Sequence, residues 1–184
     1  MPRSVGLLLA ALLALTGAAV AVPSASASAG SSSVGSCAAT WGSAERTVPA
    51  PGQAPLVDIR TGRHTCFDRV VFEVDGPVGG YSVAYVAAVT QDGSGATLPV
   101  PGGARLQVVL HHPAHDASGV ATYAGRPPAV DGYRTLRSVV HGGSFEGYTT
   151  VGVGTRARLP FRVSTHAGPG GHSRIVLDVA HRWT

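Results

Sequence analysis

The feature that most limits how this chain can fold is an alternation of apolar and polar residues with a period of two. Successive side chains of a β-strand point to opposite faces, so this period predicts strands that bury one face. Glycine and proline interrupt the alternation at short intervals, as expected for turns. The apolar positions are Val70/Phe72/Val74, Tyr81/Val83/Tyr85/Ala87, Leu106/Val108/Leu110, Leu159/Phe161/Val163 and Ile175/Leu177/Val179.

Only one segment, Tyr133 to His141, offers a helical alternative. Leu136, Val139 and Val140 would share one face of a short helix there, but the β-branched pair Val139-Val140 also suits a strand. Several short strands separated by turns are typical of a sandwich or barrel. We therefore predict an all-β fold, a β-sandwich of short antiparallel strands with at most one short helix.

The N-terminus has the pattern of a secretory signal peptide over residues 1–29. Arg3 supplies positive charge, residues 5–22 are apolar, and Ala25-Ser26-Ala27 and Ala27-Ser28-Ala29 are both small-x-small cleavage sites. A membrane anchor is the rival interpretation, but small residues rather than charged ones follow the apolar stretch. We expect an exported protein, either extracellular or associated with the cell surface, with no membrane span after signal cleavage.

The rest of the chain divides into a linker and one domain. Residues 30–40 are mostly Ser, Ala and Gly and are predicted to be flexible, which leaves 41–184 as a single β-domain. Cys37 and Cys66 are the only cysteines, and an even count in an exported chain predicts a disulfide. That bridge would pin the N-terminal segment onto the strand beginning near Phe67.

The charge pattern argues against a nucleic-acid partner. The formal net charge is +4, every basic residue is Arg, and positive and negative residues alternate along the chain. A nucleic-acid surface would need a run or patch of basic residues with interleaved aromatic residues, and neither pattern is present.

A group of metal-ligand residue types lies at His111, His112, His115 and Asp116. Imidazole and carboxylate suit zinc or copper, so a metal-binding or metal-dependent extracellular protein is the alternative function. On a strand, however, His111 and His112 point to opposite faces, and an H-E-x-x-H pattern is absent. We predict a strand end with solvated imidazoles, and neither a metal site nor a cofactor.

Catalytic patterns are equally incomplete. The stretch around Ser144 lacks the G-x-S-x-G spacing of a nucleophile elbow. A hydrolase with paired carboxylates would need two of Asp68, Glu73, Glu146 and Asp178 to meet in space, which a sequence does not reveal. We predict that the protein is not an enzyme.

The segment Arg60 to Arg69 concentrates three Arg, one His and one Asp. Arg forks match carboxylates, so one interpretation is a contact with an anion or a carbohydrate. The other is that Asp68 pairs with neighbouring Arg residues and fixes the turn beside the disulfide. The sequence leaves both open.

Several motifs together resemble secreted bacterial proteins that carry an AMIN-like domain, a distant relative of the AMIN domains found beside cell-wall amidases. The motifs are T-G-R-H-T-C-F-D-R-V-V-F-E-V-D-G (Thr61 to Gly76), W-G-S (Trp41 to Ser43), G-S-F-E-G-Y-T-T-V-G-V-G (Gly143 to Gly154), P-F-R-V (Pro160 to Val163) and R-I-V-L-D-V-A-H (Arg174 to His181). The resemblance implies an extracytoplasmic β-sandwich related to modules that can bind peptidoglycan, and it does not imply amidase activity.

These observations lead to one functional hypothesis. We expect a secreted, non-catalytic module whose partner is a cell-envelope component, either a cell-wall polymer such as peptidoglycan or an envelope protein. The oligomeric state is left open. The candidate contact residues are Arg63, His64, Glu146, Tyr148 and Arg162.

Overall fold

The computed structural model describes Cys37 and residues 39–183. The predicted signal peptide and residues 30–36 of the predicted linker lie outside the described residues. Within the described part, the only helical element is a 3-10 turn at Pro169–Gly171. The strands are β1 (Arg46–Val48), β2 (Leu56–Arg63), β3 (Phe67–Val74), β4 (Tyr81–Val86), β5 (Val89–Thr90), β6 (Thr97–Leu98), β7 (Ala104–Leu110), β8 (Leu136–Phe145), β9 (Tyr148–Thr155), β10 (Phe161–Ala167) and β11 (Ser173–Ala180).

Two antiparallel sheets form the domain. The five-stranded sheet has the order β1-β4-β7-β9-β8, and the four-stranded sheet has the order β10-β11-β3-β2. The short strands β5 and β6 pair as a separate hairpin. The predicted antiparallel β-sandwich is confirmed.

The core lies between the two sheets and follows the alternation read from the sequence. The four-stranded sheet contributes Val70 and Phe72 of β3 and Leu177 of β11. The five-stranded sheet contributes Leu106 and Val108 of β7, and all five side chains are fully buried. Their neighbours in sequence point outwards, as strand geometry requires. Burial of these apolar side chains is the main contribution to the stability of the domain.

The segment that offered a helix is a strand. β8 begins at Leu136 and pairs with β9 as far as Phe145. The β-branched pair Val139-Val140 therefore indicated the correct structure, and the helical spacing of apolar residues did not. Two register shifts interrupt this pairing, one after Leu136 and one after His141.

The predicted disulfide between Cys37 and Cys66 is confirmed, with 5.1 Å between the two Cα atoms. It attaches the segment that precedes β1 to the turn between β2 and β3. None of the helical structure in the described residues is long and apolar enough to cross a membrane.

Candidate functional site

The outer face of the four-stranded sheet carries a buried acidic residue. Leu177 and Val179 of β11 point into the core, so Asp178 between them points outwards, yet it is fully buried. The strand register places Asp178 directly between Arg162 of β10 and Arg69 of β3. An acidic side chain is rarely buried unless it is paired.

Both arginines donate hydrogen bonds to the Asp178 carboxylate. Nε of Arg69 lies 2.6 Å from Oδ1 and its Nη2 lies 2.9 Å from Oδ2, a forked pair. Nε of Arg162 lies 2.9 Å from Oδ2. The carboxylate thereby holds two guanidinium groups in fixed positions on the sheet surface.

Aromatic rings cover the two guanidinium groups. Cζ of Arg162 lies 4.4 Å from the ring centroid of Trp41, and Cζ of Arg69 lies 5.2 Å from that of Phe67. His64 stacks on Phe67 with 4.4 Å between centroids. Cation–π attraction and exclusion of water both stabilise this arrangement. We call these six residues the arginine–aromatic cluster: Trp41, His64, Phe67, Arg69, Arg162 and Asp178.

A groove of about 380 Å³ lies beside this cluster on the same face. We call it the arginine groove. Its floor is apolar and its sides are basic, and its lining includes Val71, Val176, Arg60, Arg69, His166 and Arg174. The cross-strand register explains this composition, because Val71 faces Val176 while Arg174 faces both Glu73 and His166.

Arg60 is held by an acidic neighbour at the edge of the groove. Its Nη2 lies 2.5 Å from Oε2 of Glu73, and its Nη1 lies 2.7 Å from Oδ2 of Asp58. The hydrogen bond from Arg60 is the main cause that lowers the pKa of Glu73 below its usual value, and the charge of Arg174 adds to it. Glu73 is therefore ionised at neutral pH and orients Arg60.

Arg174 differs from the other groove arginines because its guanidinium makes no hydrogen bond to any described residue. Its Nε is buried and lies 3.5 Å from Oε2 of Glu73, an ion-pair contact without hydrogen-bond geometry. The side chain remains 34% exposed. A buried donor without an acceptor is costly, and the exposed remainder of the Arg174 guanidinium is free to bind an added acceptor.

The structure brings some of the predicted contact residues together and separates others. Arg162 and His64 belong to the arginine–aromatic cluster. Arg63 lies nearby but over the ring of Tyr133, with Cζ 5.8 Å from its centroid. Glu146 and Tyr148 lie in the β8–β9 hairpin, at the opposite end of the sandwich and on the other sheet.

Sequence reasoning missed Trp41, Asp178 and Arg174 as site residues. The suggested pairing of Asp68 with neighbouring Arg residues is wrong. Its Oδ2 accepts hydrogen bonds from the backbone N–H groups of Thr135 and Leu136 at 2.6 and 3.1 Å, and its Oδ1 lies 3.1 Å from Nε2 of His181. The available signal for Asp178 was a charge between Leu177 and Val179, inside the otherwise apolar run from Ile175 to Ala180. Sequence alone does not give the register that matches it to its partners.

The prediction of solvated imidazoles is wrong for His112, which is fully buried. Its Nε2 accepts a hydrogen bond from the N–H of Gly79 at 2.9 Å, and its Nδ1 donates to the carbonyl oxygen of Ala54 at 2.7 Å. Burial is the main cause that lowers the pKa of His112. The neutral His112 ring thus connects the loop before β2 to the loop before β4. Both of its nitrogens are used in these hydrogen bonds, so neither has a lone pair available for a metal.

The other members of the histidine group also bind backbone groups. Nδ1 of His111 lies 2.8 Å from the carbonyl oxygen of Ala50, and Nδ1 of His115 lies 3.0 Å from that of Asp116. Oδ1 of Asp116 accepts hydrogen bonds from the N–H groups of the loop that follows. Across Cys37 and residues 39–183, no three His, Cys, Asp or Glu side chains are grouped to hold a metal ion.

The acidic residues considered for hydrolysis have separate partners. Asp178 is paired with Arg69 and Arg162, and Glu73 with Arg60. Asp68 faces the core side of β3, whereas Asp178 faces the outside of β11, so their carboxylates lie on opposite faces of the same sheet. Glu146 occupies the β8–β9 turn with a φ of 48°.

Comparison with known protein families identifies a domain that covers most of the described residues. The AMIN-like domain matches residues 54–181, which include β2 to β11. No curated protein matches the chain, and no solved structure does.

Proposed function

Because the chain belongs to the AMIN-like domain family, we propose that it is a non-catalytic module that binds peptidoglycan through the arginine groove. Membership in the family makes it a cell-envelope related module. Our proposal adds to this family membership a ligand, a binding face and a non-catalytic role. The predicted signal peptide would deliver the domain to the envelope.

The observation that carries the proposal is the Arg174 guanidinium beside an apolar floor, which has an ion-pair contact with Glu73 but no hydrogen bond to a described residue. Peptidoglycan carries short peptides with free carboxylates and small apolar side chains. A carboxylate would accept hydrogen bonds from the Nη atoms of Arg174, which, unlike Nε, are not buried, and the peptide's methyl groups would cover Val71 and Val176.

The neighbouring arginines favour the same ligand because they are already ordered. Asp178 fixes Arg69 and Glu73 fixes Arg60, so a ligand would not have to immobilise these long side chains on binding. Avoiding that entropic cost increases affinity. The groove is also within the size range of small-molecule sites.

The experiment is co-sedimentation of the purified chain with insoluble sacculi at low and high salt. Arg174→Gln removes the guanidinium from the groove, and Arg126→Gln, in the loop between β7 and β8, removes the same charge outside the groove. We expect Arg174→Gln to reduce retention at high salt by about tenfold, which corresponds to about 1.4 kcal/mol. Arg126→Gln should bind like the unmodified protein.

A chemical control tests the role of the ligand's carboxylates. Methyl esterification of the sacculi removes their negative charge without breaking the polymer, and we expect it to abolish retention. Equal losses for both Arg variants would mean non-specific attraction of a basic protein to an anionic polymer. No retention by the unmodified chain would exclude peptidoglycan and point to an envelope protein as the partner.

A further inference from the structure

A second depression lies on the outer face of the five-stranded sheet, remote from the arginine groove. It has a volume of about 250 Å³ and lies between the β5–β6 hairpin and the start of β9. Apart from Val109, the side chains that line it are polar or aromatic, and they include Gln91, Asp92, Gln107, Tyr148 and Thr150. We call it the tyrosine cleft.

The β5–β6 hairpin is attached firmly enough to form a fixed wall. Nε2 of Gln91 donates to the carbonyl oxygen of Gly142 on β8 at 2.9 Å, and the N–H of Thr90 donates to Oε1 of Gln107 on β7 at 3.0 Å. These bonds join the hairpin to two strands of the sheet. The cleft therefore exists before any ligand binds.

Tyr148 forms the opposite wall, and its ring is held without use of its hydroxyl group. The ring packs edge-on against His111 with 4.8 Å between centroids, while Nδ1 of His111 contacts the carbonyl oxygen of Ala50. The side chain is 39% exposed. An ordered, half-exposed aromatic ring is a ready surface for apolar C–H groups.

Several polar atoms around the cleft have no hydrogen-bond partner among the described residues. The hydroxyl of Thr150 is buried and unpaired. Oε1 of Gln107 and Oδ1 of Asp92 accept backbone N–H groups, which leaves the Gln107 amide nitrogen and the second Asp92 oxygen free. Buried or half-buried polar groups are normally satisfied, so the Thr150 hydroxyl and the Gln107 amide require either water or a ligand, while Asp92 is exposed and offers its free oxygen at the rim.

We propose that the tyrosine cleft binds one ring of an uncharged saccharide. Sugar hydroxyls both donate and accept hydrogen bonds, which matches a carboxylate, an amide and two hydroxyls in one cleft. The C–H face of a sugar ring would pack on Tyr148. This inference goes beyond the proposed function, because it concerns a different sheet and a ligand without carboxylates.

The lining distinguishes a neutral sugar from other ligands. Among the described residues, no arginine or histidine lines the cleft, and Asp92 would repel an anion. One carboxylate with amide and hydroxyl neighbours is too few charged ligands for a divalent cation in a closed protein site. The volume is below that of drug-sized pockets and admits a single ring.

The test is titration of the purified chain with three neutral trisaccharides, maltotriose, cellotriose and triacetylchitotriose, followed by NMR. At least one should shift the amide signals of Gln107 and Tyr148. Tyr148→Ala should weaken that binding at least tenfold, and Asp92→Asn, which keeps the turn acceptor, should weaken it several-fold. Trp183→Ala removes an exposed aromatic outside the cleft and should leave affinity unchanged.

Two results would overturn the inference: binding of none of the three sugars, or equal affinity of Tyr148→Ala and the unmodified chain while both remain folded. Neither result would contradict the proposed function, because that proposal attributes sacculus retention to Arg174 in the arginine groove. Conversely, Arg174→Gln should bind the trisaccharide normally even if sacculus retention fails. The two proposals therefore fail separately.

Discussion

Asp178 and Arg69 lie 109 positions apart in the sequence and form a forked pair across β11 and β3, with N–O distances of 2.6 and 2.9 Å. The pair lies on the outer face of a sheet, where most strand positions are solvated. Trp41 and Phe67 exclude water from it through their contacts with the two arginines. One buried carboxylate thus organises the surface beside the arginine groove.

Removing the Asp178 charge should destabilise the domain. Loss of one member of a buried ion pair typically costs about 3–5 kcal/mol. Because Arg69 and Arg162 are partly exposed, we expect about 2–3 kcal/mol for Asp178→Asn, measured by urea denaturation. Asp131→Asn, in an exposed loop, should change the free energy of unfolding by less than about 0.5 kcal/mol. Equal stability of the two variants would contradict a structural role for Asp178.

Loss of the disulfide should lower the free energy of unfolding by an amount similar to that expected for Asp178→Asn. Cys37 and Cys66 are separated by 29 positions, and in the chain-entropy model a loop of that length contributes about 3–4 kcal/mol. Replacing both cysteines by Ser should lower the free energy of unfolding by that amount. It should also expose Trp41, which fluorescence would detect. The unmodified protein after reduction should match the double variant, and an unchanged denaturation midpoint in either would contradict the prediction.

Buried His112 and half-buried His141 should make stability fall on mild acidification. Burial lowers the pKa of His112 and of His141 below the ordinary value of 6.5. The unfolded chain therefore binds protons as the pH falls below about 6.5 while the folded chain binds fewer, so the unfolded state is favoured. The free energy of unfolding should decrease between pH 7 and pH 5. NMR titration checks the cause directly, and a His112 ring that protonates at or above pH 6.5 would contradict it.

The sequence predicted the parts of the fold that depend on local pattern. The period of two placed Val70 and Phe72 of β3 and Leu177 of β11 in the core, where they are fully buried. The cysteine count predicted the Cys37 bridge. These inferences need only strand geometry and the chemistry of an oxidising compartment, which do not depend on the sheet order.

The candidate site could not be predicted in the same way because it depends on register between distant strands. Arg162, Asp178 and Arg69 meet only because β10, β11 and β3 are neighbours with one particular alignment. His112 is buried because the loops before β2 and β4 close over the end of β7. The polar residues around His112 in the sequence give no indication of this burial. Trp41 reaches Arg162 from a segment that precedes all the strands.

Steric contacts explain why β9 has glycine at the alternate positions 152 and 154. Gly152 and Gly154 face outwards beneath the segment that follows β6, and a Cβ on Gly154 would collide with the carbonyl oxygen of Pro101 and the hydroxyl of Ser138. A Cβ on Gly152 would collide with one methyl group of Val100, its Cγ2. The close approach of this segment to the sheet therefore requires glycine at both positions.

Gly154→Ala should consequently destabilise the domain by about 1–3 kcal/mol, the usual cost of overpacking, because backbone atoms must move. Gly152→Ala should cost less, since a side chain rather than a backbone carbonyl meets the new methyl group. Gly62→Ala is the matched control: it is a strand glycine whose nearest neighbour, Nε2 of His64, lies at an ordinary 3.5 Å. Urea denaturation should rank Gly154→Ala as the least stable and Gly62→Ala as nearly unchanged. If Gly62→Ala were as damaging as Gly154→Ala, steric contact with Pro101 would not be the reason for the motif.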